Sequence, residues 1–147
     1  MKNSLIKCLF VTVITFLTTS LSAAPQKSYH LLVEYNNCNP AKLNDLKYLE
    51  KTLTASANKG NFTVLKSVFH QFEPQGVTGI LLLSESHMSI HTWPEDGYAA
   101  VDLFTCGGNS PEEAESILKE ALECQLSEKI LMKRRPKITI EYHTKSH

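Results

Sequence analysis

Residues 84–95 read Ser-Glu-Ser-His-Met-Ser-Ile-His-Thr-Trp-Pro-Glu, and no other stretch of the chain says as much about its fold. Ser86 directly follows a glutamate, Glu85, where the apolar run Ile80 to Leu83 ends. From His87 to Thr92, apolar residues then alternate with polar ones, so that the histidines share one face of a predicted strand. A second apolar run follows Gly97 and leads to Thr105-Cys106-Gly107-Gly108, which predicts another strand ending at a glycine-rich turn.

The rest of the chain surrounds this centre with short strands and two helices. Strands are predicted at Tyr29 to Tyr35, Thr63 to Phe72, Val77 to Leu83, His87 to Thr92, Tyr98 to Phe104, Lys129 to Met132 and Ile138 to Tyr142. Asn39-Pro40 predicts the start of a helix that ends at Lys59-Gly60-Asn61. Ser110-Pro111-Glu112-Glu113 resembles a capping box before a helix from Ala114 to Leu122. This order predicts an α+β fold, a two-layer sandwich of a mainly antiparallel sheet with helices on one face.

The first 24 residues have the layout of a secretory signal peptide. Lys2 and Lys7 give a basic start, Cys8 to Leu17 is apolar, and Ser22-Ala23-Ala24 offers a small-residue cleavage site. The apolar run is short for a membrane span. The sequence therefore predicts a signal peptide at 1–24 and one domain at 25–147, which is exported to the periplasm or secreted if the signal is used and is otherwise cytoplasmic.

Charge and cysteine content narrow the classes of function. Without Lys2 and Lys7, 13 basic residues face 15 acidic ones, a formal charge of −2. The basic cluster Lys133-Arg134-Arg135 is short and has no interleaved aromatic residues, so no nucleic-acid partner is expected. No His/Cys spacing resembles a metal site. Three cysteines follow residue 24, so one thiol at least is free, and a Cys38–Cys124 bridge is left open by the sequence.

The residues around Ser86 can perform a defined reaction if the backbone there is strained. The hydroxyl of Ser86 can attack the carbonyl carbon of Glu85 and convert the amide into an ester. A base that removes the Cα proton of Ser86 then expels the Glu85 carboxylate and breaks the chain. Histidine is suited to this role because its pKa lies near neutral pH, and a further donor must stabilise the oxyanion of the first step. The product is a pyruvoyl group at the new N-terminus.

The stretch resembles the self-cleaving site of prokaryotic S-adenosylmethionine decarboxylases, over roughly Tyr29 to Glu123. The resemblance implies a pyruvoyl-dependent decarboxylase that makes the aminopropyl donor for spermidine synthesis, forms a Schiff base with its small-molecule substrate, and works as a homodimer of processed protomers. It makes Ser86 the pyruvoyl precursor, His91 the processing base and Cys106 the proton donor, with cleavage between Glu85 and Ser86.

The same resemblance assigns three supporting residues. Thr78 stands where the family usually has a processing serine; Phe72 matches an aromatic near the nucleoside, and Glu95 an acid that binds ribose hydroxyls. The chain departs from the family in the predicted signal peptide, because S-adenosylmethionine is a cytosolic metabolite. Two alternatives therefore stay open: the same machinery acting on ornithine or arginine, or an unprocessed exported binding domain.

Overall fold

The protein is described from a computed structural model that covers residues 27–107, 109–135 and 137–145. The predicted signal peptide lies outside these residues. Within these ranges, seven strands and three helices follow one another in the order Ser28–Asn36 (β1), Pro40–Leu43 (α1), Leu46–Lys59 (α2), Val64–Gln71 (β2), Val77–Leu83 (β3), Ser86–Trp93 (β4), Tyr98–Cys106 (β5), Glu112–Ala121 (α3), Leu126–Lys133 (β6) and Thr139–Lys145 (β7). A short 3₁₀ turn, Pro94–Asp96, joins β4 to β5.

All seven strands form one sheet in the order β2-β3-β4-β5-β1-β6-β7, and every neighbouring pair is antiparallel. Alternate residues of the central strands are buried against α2 and α3, among them Leu31, Val33, Leu81, Met88 and Leu103. Tyr35 ties the sheet to α3, because its hydroxyl donates to the backbone oxygen of Glu115 at 2.9 Å. The predicted two-layer α+β sandwich is confirmed.

The opposite face of the sheet has no helix over it in the part of the chain that the structure describes. Large apolar side chains are exposed on this open face: Val68, at 69%, Ile80, Leu82, Ile140 and Tyr142, at 73%. The predicted strand residues His87 and His91 lie on the same face, since Met88 and Ile90 between them are buried on the other. A face of this size and composition is typical of an interface.

Two sequence predictions about helix starts are corrected. The helix expected from Asn39 to Lys59 is divided into α1 and α2, because the Asp45 carboxylate accepts from the backbone N–H of Tyr48 and starts a new helix. The capping box predicted at Ser110 to Glu113 does not form. The helix α3 begins after Pro111 with no side-chain cap, and the hydroxyl of Ser110 contacts Glu112 instead.

Cys38 and Cys124 form a disulfide, which the sequence left open. It joins the loop before α1 to the residues that follow α3. Cys106 is the free cysteine of the described ranges. None of the helices described there is long and apolar enough to cross a membrane.

Candidate active site

The residues predicted for the site fall into two groups at opposite ends of β4. Glu85, Ser86 and Cys106 form the first group, called here the scissile end. Phe72, Thr78, His91 and Glu95 form the second group, called here the pocket end. The register fixes this division, because Ser86 pairs with Leu83 and Thr105, whereas His91 pairs with Thr78 and Ala100.

Ser86 has a strained backbone. Its φ is +153°, a conformation that side-chain-bearing residues rarely adopt and that costs about 1–3 kcal/mol. The turn that places it there lies between two well-paired strands, β3 and β4, so the surrounding ladder holds the strain in place. The Oγ atom of Ser86 lies 3.3 Å from Nδ1 of its neighbour His87.

The carbonyl oxygen of Glu85 accepts two hydrogen bonds from one residue. The backbone N–H of Cys106 donates to it at 3.0 Å, and the Cys106 thiol donates at 3.1 Å. The side chain of Glu85 is held as well, since its Oε2 accepts from the backbone N–H of Thr63 at 3.0 Å. Two donors aimed at one carbonyl oxygen polarise that carbonyl and stabilise negative charge on it.

The pocket end contains a cavity of about 390 Å³. Its lining comprises Phe72, Gln75, Gly76, Thr78, His91, Thr92, Trp93 and Glu95. The Nδ1 atom of His91 lies 2.9 Å from the hydroxyl of Thr78, and the Oε2 atom of Glu95 accepts from the side chain of Gln75 at 2.9 Å. All four predicted pocket-end residues therefore line one cavity.

Aromatic residues form one side of this cavity. Phe72 is 47% exposed and Trp93 41%, so both offer ring surface to a ligand. Trp93 packs against Tyr98, with ring centroids 5.2 Å apart. Burial, together with a hydrogen bond to Glu34, raises the pKa of Tyr98 to about 12, so its hydroxyl stays neutral near pH 7.

Sequence reasoning missed four of the residues that line the cavity: Gln75, Gly76, Thr92 and Trp93. Trp93 is exposed at the cavity. Gln75 carried no chemical signal, although it positions Glu95. Gly76 has φ +98°, and a Cβ there would meet the backbone oxygen of Thr92 at 2.9 Å, so the cavity wall requires glycine at this position.

His91 does not reach Ser86 within one chain. Five residues of strand separate them, a span of about 16 Å. The structure thus brings Glu85, Ser86 and Cys106 together, and separately brings Phe72, Thr78, His91 and Glu95 together. Because both residues belong to one extended strand, the predicted processing base does not lie beside Ser86 of its own chain, and its role stays a prediction.

Comparisons with known proteins identify the family of the chain. The model of the S-adenosylmethionine decarboxylase family matches residues 29–135. The S-adenosylmethionine decarboxylase proenzyme of Parasynechococcus marenigrum is 52% identical over 97 residues, which cover 65% of this chain and 76% of that protein. The proenzyme of Thermodesulfovibrio yellowstonii is 47% identical over 106 residues, 71% of this chain and 78% of that protein.

The crystal structure of the adenosylmethionine decarboxylase from Aquifex aeolicus VF5 has the same fold. Its TM-score is 0.69 at 29% identity, and the match covers 84% of this chain and all of that one. The fold, the serine after a glutamate and these matches define a proenzyme of the pyruvoyl-dependent decarboxylase class. The chain belongs to the S-adenosylmethionine decarboxylase family. The comparisons do not support ornithine or arginine decarboxylation, nor a non-enzymatic binding domain.

Proposed function

We propose that this chain cleaves itself between Glu85 and Ser86 and then decarboxylates S-adenosylmethionine, giving the aminopropyl donor for spermidine synthesis. One observation carries the proposal: the scissile carbonyl of Glu85 is held by two donors of Cys106, directly before a serine in strained backbone. Strain in the precursor favours the reaction that relieves it.

In the first step, Oγ of Ser86 attacks the carbonyl carbon of Glu85 and its proton leaves to a base. The negative charge that develops on the carbonyl oxygen is stabilised by the N–H and thiol of Cys106, which already donate to that atom. The C–N bond then breaks, the amine of Ser86 takes up the proton, and an ester joins the two parts of the chain.

In the second step, a base removes the Cα proton of Ser86, the Cβ–O bond breaks and the Glu85 carboxylate leaves. The dehydroalanine that remains tautomerises to an imine, and addition of water with loss of ammonia gives the pyruvoyl group. His91 is the proposed base for the Cα proton, and Thr78 holds its ring through the 2.9 Å contact.

We propose that His91 acts on Ser86 of a second copy of the chain. The separation of about 16 Å along β4 supports this, because no side chain bridges it. The open face of the sheet supports it too, since exposed apolar residues lie beside His87 and His91 on that face. A homodimer that packs two open faces together would bring the scissile end of one copy near the pocket end of the other.

The pocket end suits an adenosyl substrate. Phe72 and Trp93 offer rings for stacking on adenine, and the carboxylate of Glu95 can accept hydrogen bonds from two hydroxyls of a ribose. The pyruvoyl group supplies an electrophilic carbonyl that withdraws electrons from the substrate as carbon dioxide leaves. The thiol of Cys106 is the proposed donor of the proton that the substrate α-carbon then takes up.

The test is to purify the chain and follow both reactions. Two fragments are expected, the second beginning at residue 86, lighter than a serine-ended peptide by one ammonia, and lacking a free amine. Carboxyl-labelled S-adenosylmethionine should release carbon dioxide, and Ser86→Ala should abolish cleavage and activity. An intact wild-type chain, or faster release from ornithine, arginine or lysine, would contradict the proposal.

We further propose that residues 1–24 direct export. Sequencing the N-terminus of the chain recovered from the periplasm or medium should place the first residue near Ala24. Recovery of the chain in the cytosol with Met1 intact would contradict this.

A further inference from the structure

The proposed first step needs a base for the hydroxyl of Ser86, and the base has to be close before the chain is cut. His91 cannot serve in its own chain, because about 16 Å of strand separates it from Ser86. The side chain that does contact the hydroxyl is His87, whose Nδ1 lies 3.3 Å from Oγ of Ser86.

We propose that His87 is the base of the first step, in which the acyl group of Glu85 moves from the nitrogen to the oxygen of Ser86. This proposal rests on the proposed self-cleavage and divides its two steps between two histidines. His87 acts on the hydroxyl of Ser86 in the same chain, and His91 acts on the Cα proton afterwards. In the neutral tautomer with its proton on Nε2, His87 presents a free electron pair at Nδ1 to the hydroxyl.

The protons balance around one nitrogen. Nδ1 of His87 takes the proton of Oγ as the oxygen bonds to the Glu85 carbon, so the ring becomes a cation while the carbonyl oxygen becomes an anion. When the C–N bond breaks, the same Nδ1 returns the proton to the nitrogen of Ser86. The base leaves the step as it entered it, and no further reactant is needed.

The surroundings of His87 hold its ring in place. The ring of Phe104 lies 6.0 Å from it and the ring of His30 lies 6.5 Å from it, both on the open face. The guanidinium of Arg134 lies over the ring of Phe104, 4.4 Å from its centroid. A base fixed against packed rings loses little entropy when it reaches the reacting geometry.

Two charged side chains, Asp102 and Arg134, lie near this cluster. Burial lowers the pKa of His30, with Asp102 opposing that shift and Arg134 adding to it. Near pH 7 the imidazole of His30 is therefore neutral. The carboxylate of Asp102 lies 3.8 Å from Nε2 of His30.

The experiment follows the rate of chain cleavage in freshly made precursor of the wild type, His87→Ala, His87→Asn and His91→Ala. Asparagine keeps a polar group near the position of Nδ1 but cannot act as a base, so it covers the case in which alanine disturbs folding. Both His87 variants should cleave at least about a hundredfold more slowly than the wild type. His70→Ala, a histidine on the edge strand β2, is the matched control and should cleave at the wild-type rate.

Hydroxylamine separates the two histidines, because it attacks esters and leaves amides intact. The His87 variants should resist it, since they stop before the ester, whereas His91→Ala should be cut by it. Added imidazole should restore cleavage to His87→Ala, which a purely structural role would not produce. The chains cleaved by this rescue should decarboxylate within about threefold of the wild type.

Three results would overturn the assignment: cleavage of both His87 variants at the wild-type rate, accumulation of a hydroxylamine-sensitive ester in them, or absence of imidazole rescue. If the wild type cleaves normally in those cases, the proposed function stands and His87 is excluded from the step. If the wild type itself stays intact, self-cleavage and the role of His87 fall together.

Discussion

Ser86 and His91 occupy opposite ends of the same strand, Ser86 opposite Leu83 and His91 opposite Thr78. Both are assigned to one reaction by the resemblance of the sequence, yet about 16 Å of extended chain separates them. Since a strand is rigid along its length, the proposed reaction requires the two residues to meet across two copies of the chain. This separation gives the first prediction.

Co-expression of Ser86→Ala with His91→Ala should restore function that neither variant has alone. In a mixed dimer, the intact Ser86 of one chain meets the intact His91 of the other, so one of the two sites is complete. The measurement is cleavage of the His91→Ala chain and release of carbon dioxide by the purified mixed dimer.

The matched control combines Ser86→Ala with Cys106→Ala. Ser86 and Cys106 belong to the same scissile end, so neither site of that mixed dimer contains both residues and decarboxylation should not return. Restoration in the control pair, or none in the test pair, would contradict a site shared between two chains.

A second prediction concerns the two donors on the Glu85 carbonyl. Cys106→Ala removes the thiol at 3.1 Å and leaves the backbone N–H at 3.0 Å. We expect cleavage to continue but to slow by about a hundredfold, the lower end of the usual effect of losing one oxyanion donor. Decarboxylation by the cleaved chains should fall further, because the proton donor is missing.

Cys106→Ser is the informative partner of this variant. The serine hydroxyl restores a donor to the Glu85 carbonyl, so cleavage should recover more than decarboxylation does. Gel analysis of the cleavage time course and carbon dioxide release per cleaved chain separate the two effects. Equal cleavage rates in alanine and serine variants would show that the thiol does not stabilise the carbonyl oxygen.

Much of this arrangement could be predicted from the sequence, because alternating apolar residues define strands β1, β3, β4 and β5 closely. Glu85, Ser86, His91 and Glu95 were identified from residues 84–95. The helix break at Asn44 and Asp45 could not be predicted. Asn39 and Asp45 both cap a helix start, and the sequence pattern does not show that both are used. The pocket contributions of Gln75 and Trp93 depend on how β3 and β4 pair, which the pattern of a single strand does not contain.

The third prediction isolates the strain at Ser86. Ser86→Ala and Ser86→Gly both lack the hydroxyl and should stay uncleaved, but only alanine has a Cβ that disfavours φ +153°. The glycine precursor should therefore be the more stable by about 1 kcal/mol or more, after allowance for the greater freedom of glycine in the unfolded chain. Urea unfolding of the two precursors measures this difference.

Ser89, three residues along β4, provides the control for that comparison. In a Ser86→Ala background, Ser89→Gly should be less stable than Ser89→Ala, because glycine weakens an ordinary strand position. The same order at both positions would mean that Ser86 stores no strain.

The fourth prediction concerns substrate choice. Glu95→Gln keeps the shape of the side chain but removes the charge that Gln75 positions. It should weaken use of S-adenosylmethionine by about 1–3 kcal/mol in kcat/KM, the usual cost of a charged hydrogen bond. Asp96→Asn in the same 3₁₀ turn does not line the cavity and should leave kcat/KM unchanged. Unaltered activity in Glu95→Gln would remove the ribose assignment.

The last prediction is that His30 makes the free energy of unfolding depend on pH. Its Nε2 is buried and makes no hydrogen bond, and burial lowers its pKa in the folded chain below the ordinary value of about 6.5. Asp102 opposes the shift, while Arg134 and His87 add to it. Below pH 6.5 the unfolded chain binds a proton that the folded chain does not, so the free energy of unfolding falls as the pH falls.

The slope is at most about 1.4 kcal/mol per pH unit, the limit for one proton, and smaller because the side chain keeps some contact with water. Urea unfolding of the Ser86→Ala precursor between pH 7.5 and 5.5, at one protein concentration, measures it. Adding His30→Asn should flatten the curve, whereas His70→Asn, at the sheet edge, should leave its slope unchanged. If the His30→Asn curve remained as steep as that of the parent, the loss of stability in acid would have to come from other groups.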